Sequence, residues 1–319
     1  MATPVRRILH RPGTSESLRQ LVGFTEDLLR VIFLLLSSPA DLIRASAACT
    51  SFRRIITDPD FLRRYRSVHP PLFLGFLGQH CFYPTAAPNH NAPAGRALKR
   101  AAAGFTFDHI PRTGRFAWHV CDVRDGRILL ESVTHYNIFP GLAVCDPLSR
   151  QHVHLPAIPD DLVASVQVQE RKLECFAAAL VPSGDQEDTT FKVVARTYYR
   201  EEMYVAFIFS SVSGVWSVGA RTKCDALDLP LYRVGTLLVV PHHYAYGCFY
   251  WKMLCKNKLI KLDLNNMKFS SLHLPPDHYM RLIVIVEAGN GLLGMISRTN
   301  RNNGPFLYYT ISQNGAQYS

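Results

Sequence analysis

The chain reads as an α+β multidomain protein, a small all-α helical module followed by an all-β, propeller-like domain. Three observations predict this. Up to about Val68 the apolar residues recur at helical spacing between capping residues. After Gly104 the texture changes to short strand-forming runs separated by turns, with no stretch of ten or more helical residues. Within that second part a strand-turn-strand pattern recurs three times.

The helical module opens at Thr25, a helix N-cap, with Glu26 and Asp27 in the first turn where the helix dipole favours acids. Leu28, Leu29, Ile32, Phe33 and Leu36 then follow the helical period. Ser38-Pro39 opens a second helix, Ser as cap and Pro at the first helical position, with Leu42, Ile43 and Ala47 as its buried stripe. Thr50 or Ser51 caps a third short segment carrying Phe52, Ile55 and Ile56. Asp58-Pro59 repeats the cap-plus-Pro signal before a fourth, Asp60 to Val68. A module of about 45 residues lies below the size at which one core is comfortably stable alone. It gains stability from a partner or from the adjoining domain.

Pro70 and Pro71 end this region, and residues 69–104, rich in Ala, Pro, Asn and Gly without a period, read as a linker. Strands are expected at Phe116–Val123 and Arg127–Ser132, joined by Arg124-Asp125-Gly126, a hairpin turn because Gly accepts positive φ. Others are expected at Leu142–Cys145, Leu173–Leu180, Phe191–Tyr198, Met203–Phe209, Thr236–Val240, Cys248–Met253, Lys258–Leu262, Leu282–Glu287, Leu292–Ser297 and Phe306–Ile311. The repeat runs through Val144–Arg150 to Leu155-Pro156, through Phe209–Gly214 to Val215-Trp216, and through Leu262–Asn266 to Phe269 and Leu274-Pro275. Repeated β units at this spacing suggest propeller blades rather than one closed barrel.

Composition narrows the class. Of 319 residues, 48% are hydrophobic and 19% charged, which excludes a disordered or collagen-like chain. No apolar run approaches the roughly 18 residues of a membrane helix, and the basic Met1–Gly13 stretch leads into no signal-like apolar segment. Eight cysteines without a CxxC pair, and no Asn-x-Ser/Thr acceptor, fit a reduced cytoplasmic or nuclear setting. The net charge is +10; residues 1–70 hold eleven Arg, no Lys and six acids. Such a balance permits anionic partners without naming one, and the cluster reads as a solvated helical face.

Enzyme and cofactor motifs are weak. Gly289-Asn290-Gly291-Leu292-Leu293-Gly294 spells GxGxxG after an expected strand. A dinucleotide site needs a helix next and an acid about 20 residues on, yet no Asp or Glu follows Glu287. It reads as a β-turn. His152 and His154 share one face of a strand, and His242-His243 precede Cys248 and Cys255, but zinc wants three or four converging ligands at recognisable spacing. No GxSxG, HExxH or P-loop pairs a nucleophile with a base. Tyr246, Phe249, Tyr250 and Trp251 suggest a stacking platform for nucleic acid, but strand alternation sends Phe249 and Trp251 to one face and Tyr250 to the other, so at least one set is core. The expectation is a non-catalytic protein without metal or cofactor.

The first module resembles an F-box. Phe24-Thr25-Glu26-Asp27-Leu28-Leu29-x-x-Ile32-Phe33-x-x-Leu36 is similar to the family's opening Leu-Pro-x-x-Leu-Leu-x-x-Ile-Phe-x-x-Leu, and Ser38 to Arg53 to its later Leu…Val-Cys-x-x-Trp-Arg portion, with Phe52 in the aromatic position. The resemblance is greatest to the expanded F-box families of plants, the grasses in particular. One departure is that Phe24-Thr25 stands where the family has Leu-Pro; Thr can cap the helix, so the fold is expected to survive while the adaptor contact is altered. The β region resembles the F-box-associated β domain through Leu142-x-Val144-Cys145-Asp146-Pro147-x-Ser149-Arg150…Leu155-Pro156, Gly247-x-x-Tyr250-Trp251 and Leu262-Asp263…Phe269…Leu274-Pro275. Phe306–Ser319 ends where that domain would have further strands, so the propeller is expected to be incomplete.

The resemblance implies an F-box at 18–68, a linker at 69–104 and the associated β domain at 105–319. It implies the substrate-recognition subunit of a Skp–cullin–F-box ubiquitin ligase, binding a Skp-type adaptor and through it a cullin, with the β domain holding an unknown target protein. The implied adaptor-binding residues are Phe24, Thr25, Leu28, Leu29, Ile32, Phe33, Leu36, Leu42, Ile43, Cys49 and Phe52. Their number exceeds what so small a core needs, so some should be buried only against the adaptor. Two alternatives remain open here: an interaction protein whose F-box no longer engages the ligase, and a basic, nucleic-acid-binding β domain.

Overall fold

The structure, a computed structural model, describes residues 25–69, 72–78, 81–112, 117–132, 139–166, 173–183, 190–199, 203–228, 241–253, 257–278, 280–299 and 304–311. Phe24, the expected strand Thr236–Val240, Cys255 and the start of the expected Phe116–Val123 strand lie outside the described residues. The chain divides into two units, one reaching Leu74 and taking in Asn89–Asn91, the other made of the remaining residues from Gly75 onward.

Among the described residues the first unit contains four helices, α1 (Glu26–Leu34), α2 (Pro39–Ser46), α3 (Thr50–Ile56) and α4 (Pro59–Val68). Thr25 caps α1, its Oγ1 accepting from the Leu28 amide at 3.4 Å. Asp58 caps α4 more strongly, Oδ1 accepting from the Asp60 and Phe61 amides at 2.8 and 3.2 Å. Two junctions differ from expectation. Ser38 precedes α2 without a side-chain bond to it. At α3 the cap is Cys49, its Sγ accepting from Phe52 N at 3.5 Å, rather than Thr50 or Ser51, which are already the first helical residues. The chain leaves α2 so late that only Cys49 keeps the extended backbone a cap requires.

The second unit begins where a linker was expected. Strands β1 (Gly75–Leu77) and β2 (Phe82–Pro84) pair antiparallel, and α5 spans Ala92–Ala101. Its buried positions are Ala92 and Gly95, so the helix packs through small residues and carries no large apolar period to announce it. Alanine supplies the helix propensity, and Pro93 falls in the first turn, where its missing N–H costs nothing.

Among the described residues four antiparallel sheets follow. The first is β3 (His119–Arg124), β4 (Arg127–Ser132), β5 (Gly141–Cys145) and β6 (His152–His154). After the short helix α6 (Asp160–Ser165) comes the second: β7 (Leu173–Val181), β8 (Lys192–Tyr199), β9 (Met203–Ser210) and β10 (Val215–Lys223). The third is β11 (His242–Ala245), β12 (Cys248–Lys252), β13 (Lys258–Asp263) and β14 (Lys268–His273), and the fourth β15 (Leu282–Glu287), β16 (Leu293–Arg298) and β17 (Phe306–Ile311). In every sheet the strands neighbour one another in chain order, the up-and-down meander of a propeller blade. Apolar layers between blades occur in series. Leu129, Leu142 and Val144 pack with Val193, Phe207 and Trp216; Val194 and Ile208 with Phe249, Trp251 and Ile260; Tyr250 and Leu259 with Ile285 and Met295.

The repeat seen in the sequence is a structural one. The turn between third and fourth strands starts at Asp146, Ser210 and Asp263 and ends four residues later in left-handed Arg150, Gly214 and Met267. The Asp146 and Asp263 carboxylates each accept two backbone amides of their turn. The first hairpin also repeats: Asp125-Gly126, Tyr246-Gly247 and Asn290-Gly291 each have positive φ at both central residues, the turn whose twist matches paired strands. The GxGxxG segment is this turn in the fourth blade, with β16 directly after it.

Candidate functional site

The helical unit is built around Leu29, Phe33, Leu34, Leu42, Phe52, Ile55, Ile56, Phe61 and Tyr65. Phe33 and Phe52 meet edge to face with centroids 5.1 Å apart, a geometry worth about 0.5–1.5 kcal/mol beyond burial. The end of α1 is tied to α4, Tyr65 Oη donating to the Leu36 carbonyl at 2.7 Å and the His69 ring meeting the Leu34 carbonyl at 2.8 Å. Across the start of the bundle, Glu26 accepts from Arg30 and Arg54, and Arg30 also reaches Asp58 at 3.0 Å. The Arg30 hydrogen bond, followed by the Phe61 amide, holds the Asp58 carboxyl below its ordinary value.

These contacts sort the candidate adaptor-binding residues. Leu29, Phe33, Leu42 and Phe52 are spent inside the module, and Ile32, Leu36 and Cys49 are half-buried against that core. Thr25 is exposed at its cap position. Leu28 and Ile43 stand in solvent, Ile43 with 68% of its surface free. Two exposed side chains were not among the candidates. Val31 and Leu35 lie three and seven residues beyond Leu28, on α1 and at its C-cap, one apolar stripe on the side away from the core, and Leu35 is 76% exposed. Residues 31–36 are apolar throughout, so composition there does not tell the two faces apart; only the spacing from Leu28 could have.

In the β unit the inner strands carry a polar network. Asp122 on β3 accepts from the Leu180 amide of β7 at 2.8 Å and lies 3.2 Å from His242 Nε2 of β11. The Arg124 guanidinium sits 4.9 Å over the Tyr244 ring, and Glu287 on β15 accepts from the Tyr246 amide at 2.7 Å. Burial pushes the Asp122 carboxyl up, but the His242 bond and charge, the Leu180 amide and Arg124 together bring it below its ordinary value. Burial, then His242, pushes the His243 imidazole down to about 4. Asp122 joins the first blade to the second and third, Arg124 the first to the third, and Glu287 the fourth to the third, an arrangement that fixes blades to each other.

His152 and His154 do share one face of β6, with rings 5.3 Å apart, and His109 joins them 6.1 Å from His152. Among the described residues no group of three or more His, Cys, Asp or Glu side chains is placed to hold a metal ion. Phe249 and Trp251 are buried against the second blade and Tyr250 against the fourth, so these rings are core and offer no stacking platform. A shallow cleft of about 160 Å³ lies among Phe105, Phe107, Asp108, Arg112 and Trp118. No helix among the described residues is long and apolar enough to cross a membrane.

Solved structures similar to this chain include the SapL1 lectin in complex with alpha methyl fucoside, at 12% identity and TM-score 0.39 over 68% of this chain and 67% of that one. A chain of the mitotic checkpoint complex follows at 9% identity and TM-score 0.31, covering 60% of this chain and 56% of that one. The WD40 domain of SCAP from fission yeast matches at 12% identity and TM-score 0.26, covering 64% and 44%. No curated protein matches the chain. Residues 26–68 match the family model F-box-like, and the chain therefore carries an F-box-like domain in its helical unit.

Proposed function

We propose that this protein is the substrate-recognition subunit of a Skp–cullin–F-box ubiquitin ligase, acting in the cytoplasm or nucleus. The F-box-like unit docks a Skp-type adaptor, the adaptor joins it to a cullin, and the β unit holds the protein to be modified. The observation that carries the reading is the α1 stripe Leu28, Val31 and Leu35. These side chains stay exposed on a module whose core is already filled by other residues. An apolar stripe at i, i+3 and i+7 is what a helix offers to a helical groove. Holding a target beside the ubiquitin-loaded enzyme works by raising effective concentration, so the receptor itself needs no catalytic side chain.

Co-purification of the full chain with a Skp-type adaptor tests this. The parent should form a stable 1:1 complex. Leu35→Lys should weaken it by about tenfold or more, the effect expected at a central apolar contact, with an unchanged thermal melt. Absence of a complex with the parent, and with Thr25→Pro as well, overturns the proposal.

A further inference from the structure

Arg196 on β8 is a buried cation without a buried anion. Only 5% of its surface is exposed, and its Nε has no hydrogen-bond partner. The guanidinium sits where the second blade meets the third, 4.9 Å from the centre of the Trp251 ring on β12 and 5.8 Å from that of Tyr204 on β9. These rings offset part of what the charge loses with its water, but a ring quadrupole is no counter-ion. Among the described residues no carboxylate reaches the guanidinium. Tyr204 does not supply the missing charge either, because burial pushes its phenol up, against the opposing pull of Arg196. Among the described residues the polar atom that the guanidinium does meet is the Cys175 sulfur on β7, 3.3 Å from Nη2. The sheet register brings them together. Cys175 stands opposite Tyr198 and Arg196 opposite Ala177, so sulfur and guanidinium are diagonal neighbours on one face. Tyr198, Tyr204 and Cys224 are the other titratable groups set around the pair.

We propose that Arg196 holds Cys175 as a thiolate and that Cys175 is a modification site, oxidised by hydroperoxides to the sulfenic acid. A cationic neighbour is what favours the thiolate over the thiol, and the thiolate in turn balances a buried charge that nothing else described here matches. Cys175 also differs from the other cysteines of the blades. It is half-buried, within reach of a small oxidant, whereas burial pushes the thiols of Cys121, Cys145, Cys224 and Cys248 up and leaves them inert. In the reaction the thiolate sulfur attacks the hydroxyl-bearing oxygen of the hydroperoxide. An S–O bond forms and the O–O bond breaks; the second oxygen leaves as an anion and takes a proton from water. Sulfur gives up two electrons, and the peroxide accepts them. The sulfenic acid is the reversible first step of cysteine oxidation, reduced again through a disulfide with a second thiol.

Alkylation of the full chain by iodoacetamide, read by mass spectrometry at Cys175 between about pH 8 and about pH 6, tests the thiolate. An ordinary thiol, titrating near 8.5, slows by about 80-fold over that interval. Cys175 should slow by less than about threefold. Arg196→Met, which keeps an unbranched chain between the two rings, should restore the steep profile, and Arg196→Lys should keep the shallow one. Hydrogen peroxide with dimedone should trap a sulfenic acid at Cys175 of the parent, at least about tenfold faster than in Arg196→Met. A steep profile in the parent overturns the proposal, and the parent alone decides this if Arg196→Met does not fold. So does a shallow profile that survives Arg196→Met in a folded chain, or a parent in which dimedone finds no sulfenic acid at Cys175.

Discussion

The two outward faces of the blade series are built from the same kind of sheet and meet different ends. On the first blade, Ile128, Leu130, Ala143 and Cys145 are buried, and on that side the His109 and Trp118 rings, from a stretch that also buries Phe105, Phe107 and Ile110, lie against His152 and His154. The Trp118 indole also donates to the Ile110 carbonyl, closing the segment on itself. On the fourth blade, Leu282, Val284, Ile296, Phe306 and Tyr308 stay open. A stack of repeats buries the face between neighbours automatically, since each blade is a partner to the next, but a terminal face needs something that is not a repeat. Here the chain supplies such a cap at one end, from residues that follow no repeat.

The largest effect should come from removing the cap. Trp118→Ala opens the covered face and is expected to cost about 3–5 kcal/mol, read as a lowered urea midpoint. The corresponding truncation on the bare face, Phe306→Ala, should change the stability of the monomer by no more than about 0.5 kcal/mol. Equal losses at the two positions would dissolve the distinction.

Acid should separate the faces next. Under the cap, burial first, then Arg150 and His152, keep the His109 imidazole below its ordinary value, opposed by the Thr106 backbone and Asp108. Burial, then His152, does the same for His154. Both bases bind protons less readily folded than unfolded. The stability they permit is therefore present above the ordinary histidine value of about 6.5 and is lost as pH falls below it, until the folded values are passed. Hydrogen exchange at pH 7 and pH 5, corrected for the intrinsic rate, should show residues 105–112 and β6 losing protection while β15–β17 keep theirs. A uniform loss would place the acid sensitivity elsewhere, with His243 on β11 the next position to substitute. The smallest effect belongs to Val284→Thr, which should leave the monomer's melting temperature within about 2 °C of the parent because the site is exposed.

Much of the fold was legible because it rests on local rules. Asp58-Pro59 and Thr25 act as caps in the structure as they do on paper, and Asp125-Gly126 makes the hairpin turn that its glycine allows. The three-fold turn motif was visible because Asp146, Ser210 and Asp263 must each bond their own turn or start it at the same register. Harder to see was α5, whose buried side is alanine and glycine, and the cap at Cys49, which depends on where α2 lets go. The exposed apolar residues of the helical unit were half visible: Leu28 and Ile43 were named and Val31 and Leu35 were not, while Leu29, Phe33, Leu42 and Phe52 turned out to be core.

The sequence by itself therefore determined the helices, most strands and the recurring turns, since periodicity, capping and backbone freedom act over a few neighbouring residues. Which apolar residues are spent inside and which remain exposed was decided only in three dimensions. Leu28 and Leu29 are adjacent and chemically identical, yet one is exposed and the other buried. The outward faces of the first and fourth blades likewise share one pattern, yet one is buried and the other exposed. Burial depends on what the rest of the chain brings near, and that information is not local.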